Sequence, residues 1–140
     1  MRPTKDQWFM QISEVTATRA TCPRRQVGAV IVDRRGYILS TGFNGVPSGF
    51  AHCIDEPCPG ASCASGTGLD SCIALHAEAN AVARLKEPFE AESAYVTTAP
   101  CISCTKLLLA TSVQRIIFKS DYPNSGRLLW LAARREWVQL

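Results

Sequence analysis

Two short stretches of this sequence hold residue types that do chemistry together: His76-Ala-Glu78-Ala79-Asn80-Ala81 and, after room for one strand, Pro100-Cys101-Ile-Ser-Cys104. One imidazole and two thiolates make three zinc ligands. A closed structural site takes all four tetrahedral positions from the protein, whereas a set of three leaves a vertex for water, the arrangement of a hydrolytic centre. Two thiolates cancel the charge of the ion, so such a site polarises water less than an all-histidine one and needs a base beside it. Water on a catalytic zinc titrates near ~7, and Glu78, two residues after His76, is placed to accept its proton and pass it on.

The flanking residues say which elements must carry these groups. Leu75, Ala79, Val82, Ala83 and Leu85 recur at helical spacing, which predicts a helix from residue 75 with His76 in its first turn. Residues 93 to 98 read as a short strand. Pro100 stands where prolines start helices, so Cys101 and Cys104 fall on one face of the first turn of another helix. Two helix N-termini then converge on one metal. Their dipoles favour thiolate by about 0.3 to 1 kcal/mol each, a small aid beside the metal itself. A lone Cys-x-x-Cys could be a redox pair and a lone His-x-Glu a surface helix; the two together, with the proline, read as a catalytic zinc site. A His-x-Glu followed by Pro-Cys-x-x-Cys is the pattern of zinc nucleobase deaminases.

With 140 residues the chain is read as one domain, 1–140, that needs no disulfide staples, so its seven cysteines call for another explanation. The N-terminus lacks the apolar core of a signal peptide and no run reaches the ~18 apolar residues of a membrane span, so we expect a cytoplasmic protein with reduced thiols and no membrane partner. Fifteen Lys and Arg against twelve Asp and Glu give a net charge of only +3, with basic pairs but no basic track. That excludes an extended nucleic-acid surface and suits a small phosphorylated ligand.

In chain order, residues 4 to 19 form an amphipathic helix capped by Thr4. Val27 to Asp33 and Tyr37 to Phe43, joined through Gly36, read as a hairpin. Asn44-Gly45 follows, at a strand end entering a Gly-rich loop where side chain and backbone could approach a ligand. Residues 46 to 75 are rich in proline and glycine and poor in apolar periodicity, and so long a loop requires something to pin it. The stretch holds His52, Cys53, Cys58, Cys63 and Cys72, and Cys22 stands just before the first strand. These suffice for a second, structural zinc whose binding would fold the insertion. Strands at 113–118 and 137–140 and a helix at 127–135 complete the order αββαβαβαβ, an α/β layered domain around a mixed sheet.

Nearly the whole chain resembles the cytidine deaminase superfamily, and within it the deoxycytidylate deaminases of bacterial and phage kind. The resemblance rests on Cys22-Pro-Arg24-Arg-Gln-Val27-Gly28-Ala29-Val30, on Gly42-Phe43-Asn44-Gly45, on His52-Cys53 and on the two zinc motifs. It implies a three-layer α/β/α domain with a five-stranded mixed sheet and a cysteine-rich insertion. It further implies His76, Cys101 and Cys104 on the catalytic zinc, and Glu78 protonating N3 of cytosine and then the exocyclic amine as activated water attacks C4, so that dCMP yields dUMP and ammonia. Arg24 would hold the 5′-phosphate, Asn44 the deoxyribose, the backbones of Ala77 and Ala99 the base edge, and Tyr122 would pack over the substrate. For the second zinc it favours Cys22, Cys53, Cys58 and Cys72, with His52 and Cys63 competing.

The same resemblance implies a homohexamer activated by dCTP with Mg2+ and inhibited by dTTP, the triphosphates lying near Gly42, Phe43, Asn44 and Gly45. Phe43 stands where the family more often has tyrosine, so that hydroxyl is missing. Trp130 and Trp137 are candidates either for subunit contact or for the core. Rival readings are deamination of another base or nucleotide, such as dCTP or adenosine in tRNA, and a zinc-stabilised binding module without catalysis; the +3 charge disfavours RNA, and Glu78 disfavours the module.

Overall fold

The computed structural model describes residues 1–58, 60–64 and 73–140. Helix α1 (Lys5–Ala17) opens at Thr4, whose hydroxyl accepts the Gln7 amide while the Gln7 side chain accepts from the Thr4 amide, a reciprocal capping box. Strands β1 (Gly28–Asp33) and β2 (Ile38–Phe43) form the expected hairpin, turned through Gly36 at φ 88°. Helix α2 (Ala77–Ala83) follows the insertion, then β3 (Ala91–Thr98), helix α3 (Ile102–Leu109), β4 (Arg115–Ser120), helix α4 (Arg127–Ala132) and β5 (Glu136–Gln139).

The strand order is β2-β1-β3-β4-β5, antiparallel on the β1 side and parallel from β3 to β5. Both faces are covered, which explains why β1 reads as an unbroken apolar run. Its side chains alternate all the same. Ala29 and Ile31 join Ala94, Val96, Ile116 and Phe118 under α2, α3 and α4, whereas Val30 and Val32 join Tyr95 and Ile117 under Phe9 and Met10 of α1. The expected three-layer α/β/α domain around a five-stranded mixed sheet is the architecture observed.

Element ends moved for identifiable reasons. Helix α4 stops at Ala132, short of the expected residue 135, because Arg134 takes φ 60° and ends the helical path. Arg135 then turns back to donate to the carbonyls of Leu109, the last residue of α3, and of Thr111 and Val113 after it. Trp130 is fully buried and its indole donates to the Glu136 carbonyl at 2.7 Å, so of its two readings the core one holds. Trp137 is half-buried against Phe118. Among the described residues no helix is long and apolar enough to cross a membrane.

One end of the sheet gathers the start of β1, the end of β2 and the ends of β3 and β4. Crevices at the carboxyl ends of parallel strands are where open α/β sheets bind ligands. Gly42 decides how close α2 comes to that end: a Cβ there would lie 2.3 Å from the Ala77 carbonyl oxygen and 2.6 Å from the Ala81 nitrogen. Gly45 similarly makes room for the Thr21 hydroxyl, and it pairs with Leu75 through two backbone bonds of 2.8 and 3.1 Å that close the neck of the insertion. Both glycines thus serve packing, Gly42 against α2 and Gly45 against Thr21.

Candidate metal centre

His76 and Cys101 are the N-cap residues of α2 and α3, one position before the first turns in which the spacing had put them, and Pro100 precedes the cap. The difference matters to the geometry. An N-cap residue keeps an extended backbone, and φ/ψ of −71°/155° at His76 and −69°/173° at Cys101 swing both side chains across the helix ends. Cys104 sits one turn into α3, and its amide donates to the Cys101 sulfur at 3.5 Å.

The two sulfurs reach the same ring nitrogen: His76 Nδ1 lies 3.5 Å from Cys101 Sγ and 3.3 Å from Cys104 Sγ, and all three ligand atoms fall within 4.8 Å of one another. Tetrahedral zinc with ordinary Zn–S and Zn–N bonds separates such atoms by about 3.6 Å. Two soft sulfurs and an imidazole are also the donor set that zinc favours. The residues fit the ion.

Electrostatics prepares the same atoms. The Cys104 thiol beside it holds the Cys101 thiol down to about 4, against the opposing effect of burial and with further help from His76. Cys104 is pushed up, first by its bond to Cys101 and then by burial, while the Cys101 sulfur raises His76. A metal takes both sulfurs as thiolates, so its binding here would release protons. Glu78 is 5 % exposed, and burial pushes its carboxyl up to about 6. A carboxyl poised there exchanges protons near neutrality, as general acid–base work requires.

His76, Glu78 and Cys101 line one cavity, and so do Arg24, Asn44, Ala77, Ala99 and Tyr122, every residue that the sequence assigns to substrate. Their free valences are narrower than the sequence implied. The Ala99 amide already donates to Ser120 at 2.8 Å, which leaves its carbonyl to face a ligand. The Asn44 carboxamide accepts from the Val27 amide at 2.8 Å and donates to the Arg25 carbonyl at 2.6 Å, keeping one N–H and one lone pair. Arg24 Nη1 donates to the carbonyls of Cys63 and Ala64, both at 3.2 Å. Phe43 offers its carbonyl to Asn80 Nδ2 at 2.8 Å.

Sequence reasoning missed Arg25, Val27, Ala74 and Thr98 in this cavity. In sequence Arg25 is only the neighbour of Arg24, yet its guanidinium lies 5.2 Å from the Tyr122 ring centroid. The available signal was the adjacency itself, two arginines between a buried cysteine and the first strand. Of the residues favoured for a second zinc, Cys22, Cys53 and Cys58 are buried, and Cys53 sits beside Cys58; burial, then Cys58, raises its thiol. Among the described residues these three do not stand within metal-sharing distance of one another, as His76, Cys101 and Cys104 do. His52 is exposed, Cys63 half-buried, and Cys72 lies outside the described residues.

Comparison with known proteins agrees with this geometry. Residues 3–120 match the family model described as the cytidine and deoxycytidylate deaminase zinc-binding region. The deoxycytidylate deaminase of Mycobacterium phage D29 is 38% identical over 128 residues, covering 86% of this chain and 98% of that protein. That of Saccharomyces cerevisiae is 32% identical over 124 residues; the match takes in 87% of this chain but only 39% of the yeast protein. The crystal structure of dCMP deaminase from the cyanophage S-TIM5 in complex with dCMP and dUMP superposes with a TM-score of 0.79 at 25% identity, over 100% of this chain and 99% of that one. With three metal-ligand side chains and a buried glutamate at one sheet end, and with a family match across most of its length, the chain belongs to the cytidine and deoxycytidylate deaminase family.

Proposed function

We propose that this chain is a zinc-dependent hydrolytic deaminase that converts dCMP to dUMP and ammonia, acting as one cytoplasmic domain with residues 46–75 as its insertion. The observation that carries the reading is Glu78, buried to 5 % exposure two residues from His76 and beside the His76, Cys101 and Cys104 cluster. Zinc in that cluster would supply Lewis-acid activation of a water molecule. Glu78 takes the proton which that activation releases and delivers it to N3 of the cytosine ring as the hydroxyl adds to C4; it then takes the proton of that C4 hydroxyl and passes it to the exocyclic amine, so that the C4–N bond breaks, ammonia departs and the C4 carbonyl of uracil remains. The Ala99 carbonyl is a fitting acceptor for that amine, and the Ala77 amide at the start of α2 a fitting donor to O2 of the base. The remaining N–H and lone pair of Asn44 suit a deoxyribose hydroxyl, Tyr122 covers the substrate, and Arg24 stands at the phosphate.

The second zinc is proposed on Cys22, Cys53 and Cys58, three buried soft donors, with Cys72 as the fourth. Control by dCTP with Mg2+ and by dTTP within a homohexamer is proposed through residues 42 to 45. Its physical support is Asn44, which ties that loop to Arg25 and Val27, so a shift of the loop reaches the substrate cavity. A screen of dCMP, dCTP, CMP, deoxycytidine and an adenosine-containing RNA hairpin, followed by absorbance, tests the assignment. dCMP should turn over best; turnover of RNA alone, or of none, would overturn it.

A further inference from the structure

We propose that Asn80 is a positioning residue for the substrate: by holding the Phe43 carbonyl from α2 it sets how Asn44 meets the deoxyribose hydroxyl, an inference that rests on the deaminase reading above. Strand β2 lies at the edge of the sheet, and Gly28, the residue opposite Phe43, spends its amide on the Thr97 hydroxyl at 3.1 Å. The Phe43 carbonyl therefore takes no ladder bond from Gly28. Asn80 Nδ2 supplies the donor instead, at 2.8 Å and from a different element.

The bond matters for what lies at its two ends. Asn80 stands one turn beyond the His76 cap, its amide donating to the His76 carbonyl at 3.0 Å, with Glu78 between them on the same short helix. At the other end, the Phe43 carbonyl belongs to the peptide that joins Phe43 to Asn44. Asn44 is 7 % exposed, and its amide donates to the Val27 carbonyl at 3.3 Å while its side chain is engaged with residues 25 and 27. Turning that peptide would swing the Asn44 carboxamide within the cavity, and Asn80 fixes it from the side that Val27 does not reach. The other ties between α2 and β2 stop at the strand: the Ser40 hydroxyl donates to the Ala81 carbonyl at 2.8 Å, and Gly42 packs on Ala77. Asn80 thus sets the separation between the group that moves protons and the group that holds the sugar, where a displacement of about 1 Å is enough to cost a large factor in rate.

The zinc-loaded full chain is assayed on dCMP and on 2′,3′-dideoxycytidine 5′-monophosphate, which lacks the sugar hydroxyl. Asn80→Ala should lower the kcat/KM preference for dCMP over the dideoxy nucleotide roughly tenfold, with most of the loss confined to dCMP and zinc content unchanged. Asn80→Asp keeps the shape but loses the donor, so it should lower the ratio at least as far; it also carries the test if the alanine variant fails to fold. Because Asn80 acts through Asn44, the losses from Asn80→Ala and Asn44→Ala should fall short of adding in the double variant. Equal losses on the two nucleotides, a ratio within about twofold of wild type, or additive losses would overturn the role of Asn80 while leaving the deaminase reading standing. Wild-type protein that treats the two nucleotides alike would overturn it together with the sugar contact of Asn44, and wild-type protein that deaminates neither would overturn the deaminase reading itself.

Discussion

Cysteines gather at two places in this chain, and the contrast between them lies in what stands beside the sulfurs. At the catalytic cluster the donors stand on two helix caps and one first turn packed against a five-stranded sheet, with His76 Nδ1 3.3 and 3.5 Å from the two sulfurs and a buried carboxyl alongside. Around Cys53 the donors come from loop, closed off by the Gly45–Leu75 pairing and the Ile54 amide bond to Thr21, and no buried carboxylate is among the described residues there. Soft donors alone make a stable metal site. Chemistry requires in addition an open vertex and a group that moves protons.

The comparison breaks most visibly if the first site is emptied. His76→Ala should remove the catalytic metal and lower dCMP turnover by more than ~10⁴-fold, since water then loses the activation that brings its pKa near neutrality. Metal analysis and a deamination assay on the same preparation check this, and the insertion's metal should stay bound.

Emptying the second site should act on stability first. Cys53→Ser is expected to reduce zinc from two per chain to one and to lower Tm by roughly 10 °C or more, given that binding energy at structural zinc is folding energy. Cys63→Ser, outside the favoured set, should change stability by no more than about 0.5 kcal/mol. Equal metal content in wild type and Cys53→Ser would dissolve the distinction between the two regions.

A smaller effect lies away from both. Burial raises the Asp6 carboxyl, but hydrogen bonds from Tyr95 and Arg115 outweigh it and leave the group below its ordinary 3.8. A carboxylate depressed in the folded state adds stability that is complete above the unfolded pKa and fades as pH falls through the folded one. Wild type should therefore lose this increment below about pH 4, and Asp6→Asn should show a flatter decline there in urea midpoints measured from pH 5 to 3. Parallel curves would remove Asp6 from the acid response.

Much of the frame was legible because its signals are local. Thr4 capped α1, Gly36 turned the hairpin, and the order of elements followed from periodicity alone. The metal ligands were legible because their chemistry constrains their type and spacing. What stayed hidden depended on contacts between distant segments: that the room at Gly42 belongs to α2, that the Asn44 amide is largely committed to residues 25 and 27, that Arg135 would fold back and bury Trp130 as core. Arg25 escaped for the same reason, since its partner Tyr122 lies on a loop beyond β4. Residues in the insertion offered types without periodicity, so their ligand set could be narrowed but not ordered.

Glu78→Gln tests the central claim most directly, measured as dCMP turnover and zinc content in one preparation. The isosteric amide keeps the shape of the cavity and leaves His76, Cys101 and Cys104 in place. Zinc should remain at the wild-type level while kcat falls by ~10² to 10⁴-fold, the usual contribution of a positioned acid–base group. A variant that keeps wild-type activity, or one that loses its catalytic zinc along with activity, would contradict the assignment of Glu78 as the proton carrier.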